Sequence, residues 1–337
     1  MKDYDRNARK QNPKTRRRWR SSIKIFTLLT FLCSVLLLFY SAGCQFTSLT
    51  ARKPVLEKIE KAFSVKAGGR LTIVSEFGAI DIQTAEQDKV EVVVTKESKP
   101  TLVKASQEVL EDFEVTFEHK GSNVSIEGKF KQGRKHWQSR KHWQKQLNRL
   151  KIHFLVTVPR QYNIDLDTSS GSISVDDLDG YVRTETSAGG LRFGKIKGTV
   201  WGRTSAGNIK LTSCDSAVDV KTSAGNIELK SVGGNVNAKT SSGSIRTSLA
   251  GQPENECNFR TSAGNITVIL MPDIAINLDA ETTAGLVSTD FTVTSTIQGK
   301  VRKNWLKDSI KGSISGGGPL LRLRTSAGNI RLQQAEN

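Results

Sequence analysis

From residue 65 onward, apolar and polar positions alternate with a period of two, broken at short intervals by Gly, Asn and Ser. In AVDVKTSAGNIELKSVGGNVNAKT (217–240), Val218, Val220 and Thr222 fall on one face. Gly225-Asn226 then shifts the phase, Ile227 and Leu229 resume the alternation, SVGG makes a second turn, and Val236 and Ala238 restart the cycle. Such alternation with such punctuation predicts short strands joined by tight turns. Gly takes positive φ freely and Asn does so better than most residues. Gly171, Gly189, Gly207, Gly225, Gly243, Gly264, Gly285 and Gly328 are therefore read as the structural turns of the repeat.

The same phrase returns at Thr168, Thr186, Thr204, Thr222, Thr240, Thr261, Thr282 and Thr325, at intervals of 18, 18, 18, 18, 21, 21 and 43 residues. The last interval is about two periods, which suggests that one copy has degenerated or given way to a loop near QGKVRKNWLKDSI. A near-fixed period marks a repeat architecture. A meander of hairpins would need only the polarity pattern to recur. In a parallel β-solenoid, equivalent positions stack about 4.8 Å apart and identical side chains can bond along a ladder. Because the letters themselves recur, the expected fold is all-β: a parallel β-solenoid or β-helix-like stack of 18–21-residue, two-strand coils. Stacking would bring Asn208 near Asn226 and Thr204 near Thr222.

Upstream the pattern is less regular. GGRLTIVSEFGAIDIQTAEQDKVEVVVTKE alternates as strands, TLVKASQEVLEDF (101–113) predicts one short helix, and EVTFEHKGSNVSIEGKF predicts a hairpin turning through 120–123. The divisions expected are a basic leader (1–24), a signal or transmembrane helix (25–43), a linker (44–64), an irregular β region (65–158) containing a basic insertion (129–151), and the repetitive solenoid (159–333). The opening GGRLTIVSEFGAIDIQ, the VTVPRQYNIDLDTSSGSISVDDLDGYV junction, the TSAGNI series and the closing SGGGPLLRLRTSAGNI resemble the bacterial putative-adhesin β-strand-repeat domains of unknown function, related to head domains of autotransporter-type adhesins. The resemblance spans roughly 65–333, with 129–150 and 288–312 departing as insertions. It implies a cell-envelope or surface β-solenoid with an adhesive or scaffold role, and carries no catalytic residues across.

Charge changes this picture only locally. The net charge is +17. Residues 1–24 hold ten Lys/Arg against two acids (+8), and 129–151 hold nine Lys/Arg and no acid (+9), so the remainder is neutral. A nucleic-acid binder would carry a basic stripe on its folded face, so no nucleic-acid partner is expected. The leader precedes IFTLLTFLCSVLLLFYSA (25–42), which is free of charge; as a helix it would extend about 27 Å, near the thickness of a bilayer's hydrocarbon. Lys/Arg on the leader predict a cytoplasmic N-terminus and an exported remainder, periplasmic or at the cell surface. SAGCQ (41–45) resembles a bacterial lipoprotein signal, which makes Cys44 the candidate lipidation site; an uncleaved anchor and plain secretion are the alternatives.

The insertion contains a tandem duplication, Arg134-Lys135-His136-Trp137-Gln138 and Arg140-Lys141-His142-Trp143-Gln144. On an extended strand both Trp residues share a face. Arg134, Lys135, Trp137, Arg140, Lys141 and Trp143 are the candidate binding residues for anionic envelope polymer, lipid headgroups or a surface protein, against the plainer reading of a solvated loop. Asp165 and Asp167 share a strand face, as acids do in parallel β-helix enzymes acting on acidic polysaccharides, but no second acidic pair recurs one coil later. That enzyme is the alternative function. His119 and His153 read as strand residues, and Cys214 and Cys257 as two isolated thiols. No metal, cofactor or catalytic constellation is expected. The reading reached is a non-enzymatic, membrane-anchored, exported envelope protein with an adhesin-like binding or scaffold role.

Overall fold

The alternation resolves into strands because each coil can bury only one of its two faces. In a computed structural model, residues 55–98, 110–131, 150–294 and 308–335 are described. The chain opens with β1 (Val55–Ser64), the coil β2 (Arg70–Ser75) and β3 (Ala79–Ala85), the antiparallel strand β4 (Lys89–Ser98), the hairpin β5 (Phe113–Lys120) and β6 (Asn123–Phe130), and β7 (Leu150–Pro159). Regular coils follow as strand pairs: β8 (Asn163–Thr168) with β9 (Ile173–Val175), β10 (Val182–Ala188) with β11 (Leu191–Ile196), β12 (Val200–Ala206) with β13 (Ile209–Cys214), and β14 (Val218–Ala224) with β15 (Ile227–Val232). Next come β16 (Val236–Lys239) with β17 (Ile245–Leu249), β18 (Cys257–Ala263) with β19 (Ile266–Leu270), and β20 (Ile276–Ala284) with β21 (Val287–Thr289). The antiparallel strand β22 (Asp308–Ile314) precedes the last coil, β23 (Leu320–Ala327) with β24 (Ile330–Gln334).

Two 12-stranded sheets result, one strand of each coil in each sheet. The first runs β1-β4-β7-β3-β9-β11-β13-β15-β17-β19-β24-β21 and the second β22-β20-β23-β18-β16-β14-β12-β10-β8-β2-β6-β5. Pairing between coils is parallel and in register: Ile164, Val182, Val200, Val218 and Val236 form one continuous column. The stack of parallel coils inferred from the recurring letters is the fold, and the meander is excluded. Between the sheets lies a thin apolar core. Its packing pairs large with small: Phe193 and Leu191 of the first sheet fill the space left at Gly202 of the second, where a Cβ would sit 3.2 Å from Leu191 and 3.4 Å from Phe193.

The order of coils departs from the order of the chain at both ends. The coil β2–β3 lies between β6–β7 and β8–β9. At the far end β20–β21 is outermost, and β23–β24 is inserted between it and β18–β19. The long 43-residue interval is therefore neither a degenerate copy nor a simple loop. The chain lays down an outer coil, adds β22 antiparallel to it, and returns to fill the position it skipped. Part of the region read as an insertion at 288–312 is thus strand β22. Similarly, residues 55–64 of the expected linker form β1, which pairs over its full length with β4; its alternating side chains are polar enough to resemble a linker because it sits on a sheet edge. The 120–123 hairpin is present as β5–β6. Of the expected helix, residues 110–112 are helical and Phe113 already belongs to β5, while 101–109 lie outside the described residues.

The leader, the apolar segment 25–43 and Cys44 also lie outside the described residues. Among the described residues no helix is long and apolar enough to cross a membrane.

Candidate functional site

Four letters of T-S-A-G-N-I, the Thr, Gly, Asn and Ile, can be assigned a place in the stacking. The Thr is buried and bonds to the coil before it: Thr222 Oγ1 donates to the Gly207 carbonyl oxygen at 3.0 Å, and Thr186, Thr204, Thr240, Thr261, Thr282 and Thr325 make the equivalent bond at 2.8–3.0 Å. The Gly has no room for a side chain. At Gly264, with φ +146°, a Cβ would meet the Gly243 carbonyl oxygen at 2.1 Å. Asn208 Oδ1 accepts from the Asn226 backbone N–H at 2.8 Å, and Asn226 Oδ1 from that of Ser244 at 2.8 Å. The expected ladder of like side chains is therefore a ladder of side chain to backbone, and it satisfies turn donors that would otherwise be unpaired. The Ile is buried in the core.

The second letter is the exception. Its residues are Ser169, Ser187, Ser205, Ser223, Ser241, Ser262, Thr283 and Ser326, a hydroxyl in all eight copies. All but Ser169 are exposed, and none of these hydroxyls makes a side-chain hydrogen bond among the described residues. The residue just before each Thr is also invariant in kind. It is charged in all eight copies: Asp167, Glu185, Arg203, Lys221, Lys239, Arg260, Glu281 and Arg324.

Parallel register converts these positions into columns on the outer face of the second sheet. In spatial order the charged column reads Asp167, Glu185, Arg203, Lys221, Lys239, Arg260, Arg324, Glu281. Its basic run lies between Asp167 and Glu185 at one end and Glu281 at the other. The next column outward along the strands reads Asp165, Arg183, Trp201, Asp219, Asn237, Asn258, Arg322, Asp279. Arg203 bonds Asp219 at 2.8 Å, and Arg324 bonds Asp279. Burial alone would raise the Asp279 carboxyl, but hydrogen bonds from Arg324 and Lys311 outweigh it and hold the group below the ordinary carboxylate range. Trp201 is flanked by two guanidinium groups, Arg183 at 3.8 Å and Arg203 at 4.5 Å from the ring centroid. With Asp219 and Asn237 it borders a shallow groove of about 290 Å³.

Of the residues singled out from the sequence, Asp165 and Asp167 do share this face. Arg183 lies 3.6 Å from Asp165 and 3.5 Å from Glu185. Desolvation, then the Glu185 charge, pushes the Asp167 carboxyl up. One coil later Arg183 lies beside Asp165 and Glu185 beside Asp167, so a single acid and not a second acidic pair recurs there. Among the described residues no group of three His, Cys, Asp or Glu side chains is placed to hold a metal ion. His153 pairs with Asp81 at 2.7 Å, and His119 is exposed on edge strand β5, against Phe63. Cys214 and Cys257 are free and buried, and burial pushes both thiols up. Arg134, Lys135, Trp137, Arg140, Lys141 and Trp143 lie outside the described residues, on the connection between Phe130 and Leu150, both buried.

The Toastrack DUF4097 domain matches residues 69–333, most of the chain. The chain belongs to the Toastrack DUF4097 family. This toastrack is also similar to three solved structures. One is a putative cell adhesion protein from Clostridium sporogenes, with 14% identity, 83% of this chain and 100% of that chain covered, and a TM-score of 0.26. Another is a putative adhesin from Bacteroides fragilis, with 13% identity, coverage of 83% and 97%, and a TM-score of 0.31. A third is a putative lipid binding protein from Parabacteroides distasonis, with 14% identity, coverage of 84% and 97%, and a TM-score of 0.35. No curated protein matches the toastrack chain.

Proposed function

We propose that this toastrack is a non-enzymatic, exported, membrane-anchored protein of the cell envelope that binds a polymer, a surface or another protein in an adhesin-like manner. The observation that carries the reading is the conversion of a short repeat into in-register columns of outward side chains. Thr, Gly, Asn and Ile are consumed by stacking, whereas the Ser hydroxyls and the cations Lys221, Lys239 and Arg260 face outward on successive coils, where a partner could meet several at once. Export rests on the basic leader and the apolar segment 25–42, and anchoring on Cys44, whose lipidation would hold the stack to a membrane. The insertion carrying Arg134, Lys135, Trp137, Arg140, Lys141 and Trp143 supplies a second, separate basic element for anionic headgroups or polymer.

Intact mass of the protein from native membranes, beside Cys44→Ala, tests the anchor: a mature chain beginning at Cys44 with added acyl mass is expected, and a full-length unmodified chain contradicts lipidation. Co-sedimentation with anionic vesicles and anionic polymer tests the insertion. Salt-sensitive binding that falls in a variant carrying Ala at Arg134, Lys135, Arg140 and Lys141 is expected; binding indifferent to salt removes the insertion from the account.

The grouping of Asp165, Asp167, Glu185 and Arg183 favours a second reading, an enzyme acting on acidic polysaccharide. It requires new reducing or unsaturated ends from uronate or glycosaminoglycan substrates, abolished by Asp167→Ala. Silence across such substrates leaves binding alone.

A further inference from the structure

On the outer face of the second sheet, Lys221, Lys239 and Arg260 occupy one column on three successive strands, β14, β16 and β18. Strand spacing sets them about 4.8 Å apart. The cations at either end of the basic run are neutralised, Arg203 by Asp219 and Arg324 by Asp279. These three enter no ion pair with a described residue: Asp219, the nearest acid in the adjacent column, is taken by Arg203 and by Asn237 at 2.9 Å. Three like charges in a row repel one another, so the column costs stability unless something outside the chain supplies negative charge.

Two flanking columns make the face more specific than a basic patch. On one side lie the exposed hydroxyls Ser223, Ser241 and Ser262, the repeat positions that stacking does not use. On the other lie Asp219, already bonded by Arg203 and by Asn237, and then the amides Asn237 and Asn258. No large apolar side chain is exposed on these strands. A membrane surface would want apolar side chains to insert, and a single-stranded nucleic acid would want open aromatic platforms. The aromatic nearest this face, Trp201, is already held between two arginines.

We infer that the outer face of β14, β16 and β18 forms a binding track for a linear acidic polysaccharide, one sugar residue to a coil, with carboxylates on Lys221, Lys239 and Arg260 and ring hydroxyls on the Ser column and on Asn258. The track rests on the binding role proposed above and names its ligand class. Register is what makes it work: a stiff polymer with one anionic group per residue meets a cation at each coil without bending. The exposed position makes each contact weak, and the repetition makes the sum useful.

The test is titration of the full-length protein with polygalacturonate at low salt, beside neutral dextran and linear polyphosphate. Wild type is expected to bind polygalacturonate and not dextran. A variant with Ala at Lys221, Lys239 and Arg260 should bind about tenfold more weakly, the sum of three modest exposed pairs. A variant with Ala at Arg192, Arg246 and Arg331, the same charge loss on the opposite sheet, should bind as wild type does. Ser223→Ala with Ser241→Ala should weaken polygalacturonate binding and leave polyphosphate unchanged. Equal losses in both triple variants would show that net charge alone is sensed and would overturn the track. So would unchanged binding in the Lys221/Lys239/Arg260 variant with loss on neutralising 134–141, an outcome that leaves the broader binding role standing. Polyphosphate binding as tight as polygalacturonate, with no effect of the Ser changes, would overturn the polysaccharide assignment. All six substituted cations point outward, so matched thermal midpoints check that folding is intact.

Discussion

Thr222 and Ser223 are neighbours with nearly the same chemistry and opposite duties. Thr222 is 1% exposed and its hydroxyl pins the Gly207 carbonyl of the coil before. Thr222→Val keeps the shape and leaves that carbonyl short of a donor, so a loss of about 1–2 kcal/mol is expected in denaturant unfolding. Ser223→Ala, one residue on, should change stability by less than about 0.5 kcal/mol, because its side chain faces solvent. A converse case is Thr184, fully buried in the core with a hydroxyl that finds no partner. Its column otherwise holds Leu166, Gly202, Val220 and Ala238. Thr184→Val should raise stability by about 1 kcal/mol, since an unpaired buried hydroxyl is replaced by a methyl group of the same shape. A loss of stability there would mean that the hydroxyl is bonded in solution.

At the scale of elements, the final coil is the one to watch. Strands β23 and β24 enter between coils already in the chain, so each bonds a neighbour on both sides. They also bury Leu321, Leu323, Ile330 and Leu332. Truncation after Ile314 would leave a one-coil gap with β20 and β21 stranded beyond it. It should abolish protection of β20 and β22 in hydrogen exchange and lower the thermal midpoint by several degrees or more; a mere loss of the deleted strands' own signals would contradict the inserted arrangement. The regular coils were legible in the sequence because the period is fixed there, and TSAGNI repeats the very residues that bond coil to coil. The ends were not legible. Nothing in alternation says which coil a strand will lie beside, since β2, β6 and β8 share one pattern of inward residues. Edge strand β1 read as a linker because an edge has solvent on more sides and tolerates Lys and Glu. The charged column was present in the sequence as the residue before every TS. It went unread because its members are 18 or 21 residues apart and become neighbours only through parallel register.

At the scale of the molecule, summed charge and placed charge give different answers. Outside the leader and the insertion the chain is neutral, which by itself argues against any anionic partner. On one face the stack sorts part of that neutral total into Asp167 and Glu185, a run of five cations from Arg203 to Arg324, and Glu281. A repeat protein gains reach this way, since one substitution per coil writes a line of contacts along the whole stack. The most direct test of the binding account is the salt dependence of polygalacturonate affinity for full-length wild-type protein. The account predicts measurable binding that weakens steadily as salt rises through the physiological range. Affinity that is absent at low salt, or the same at low and high salt, would contradict it.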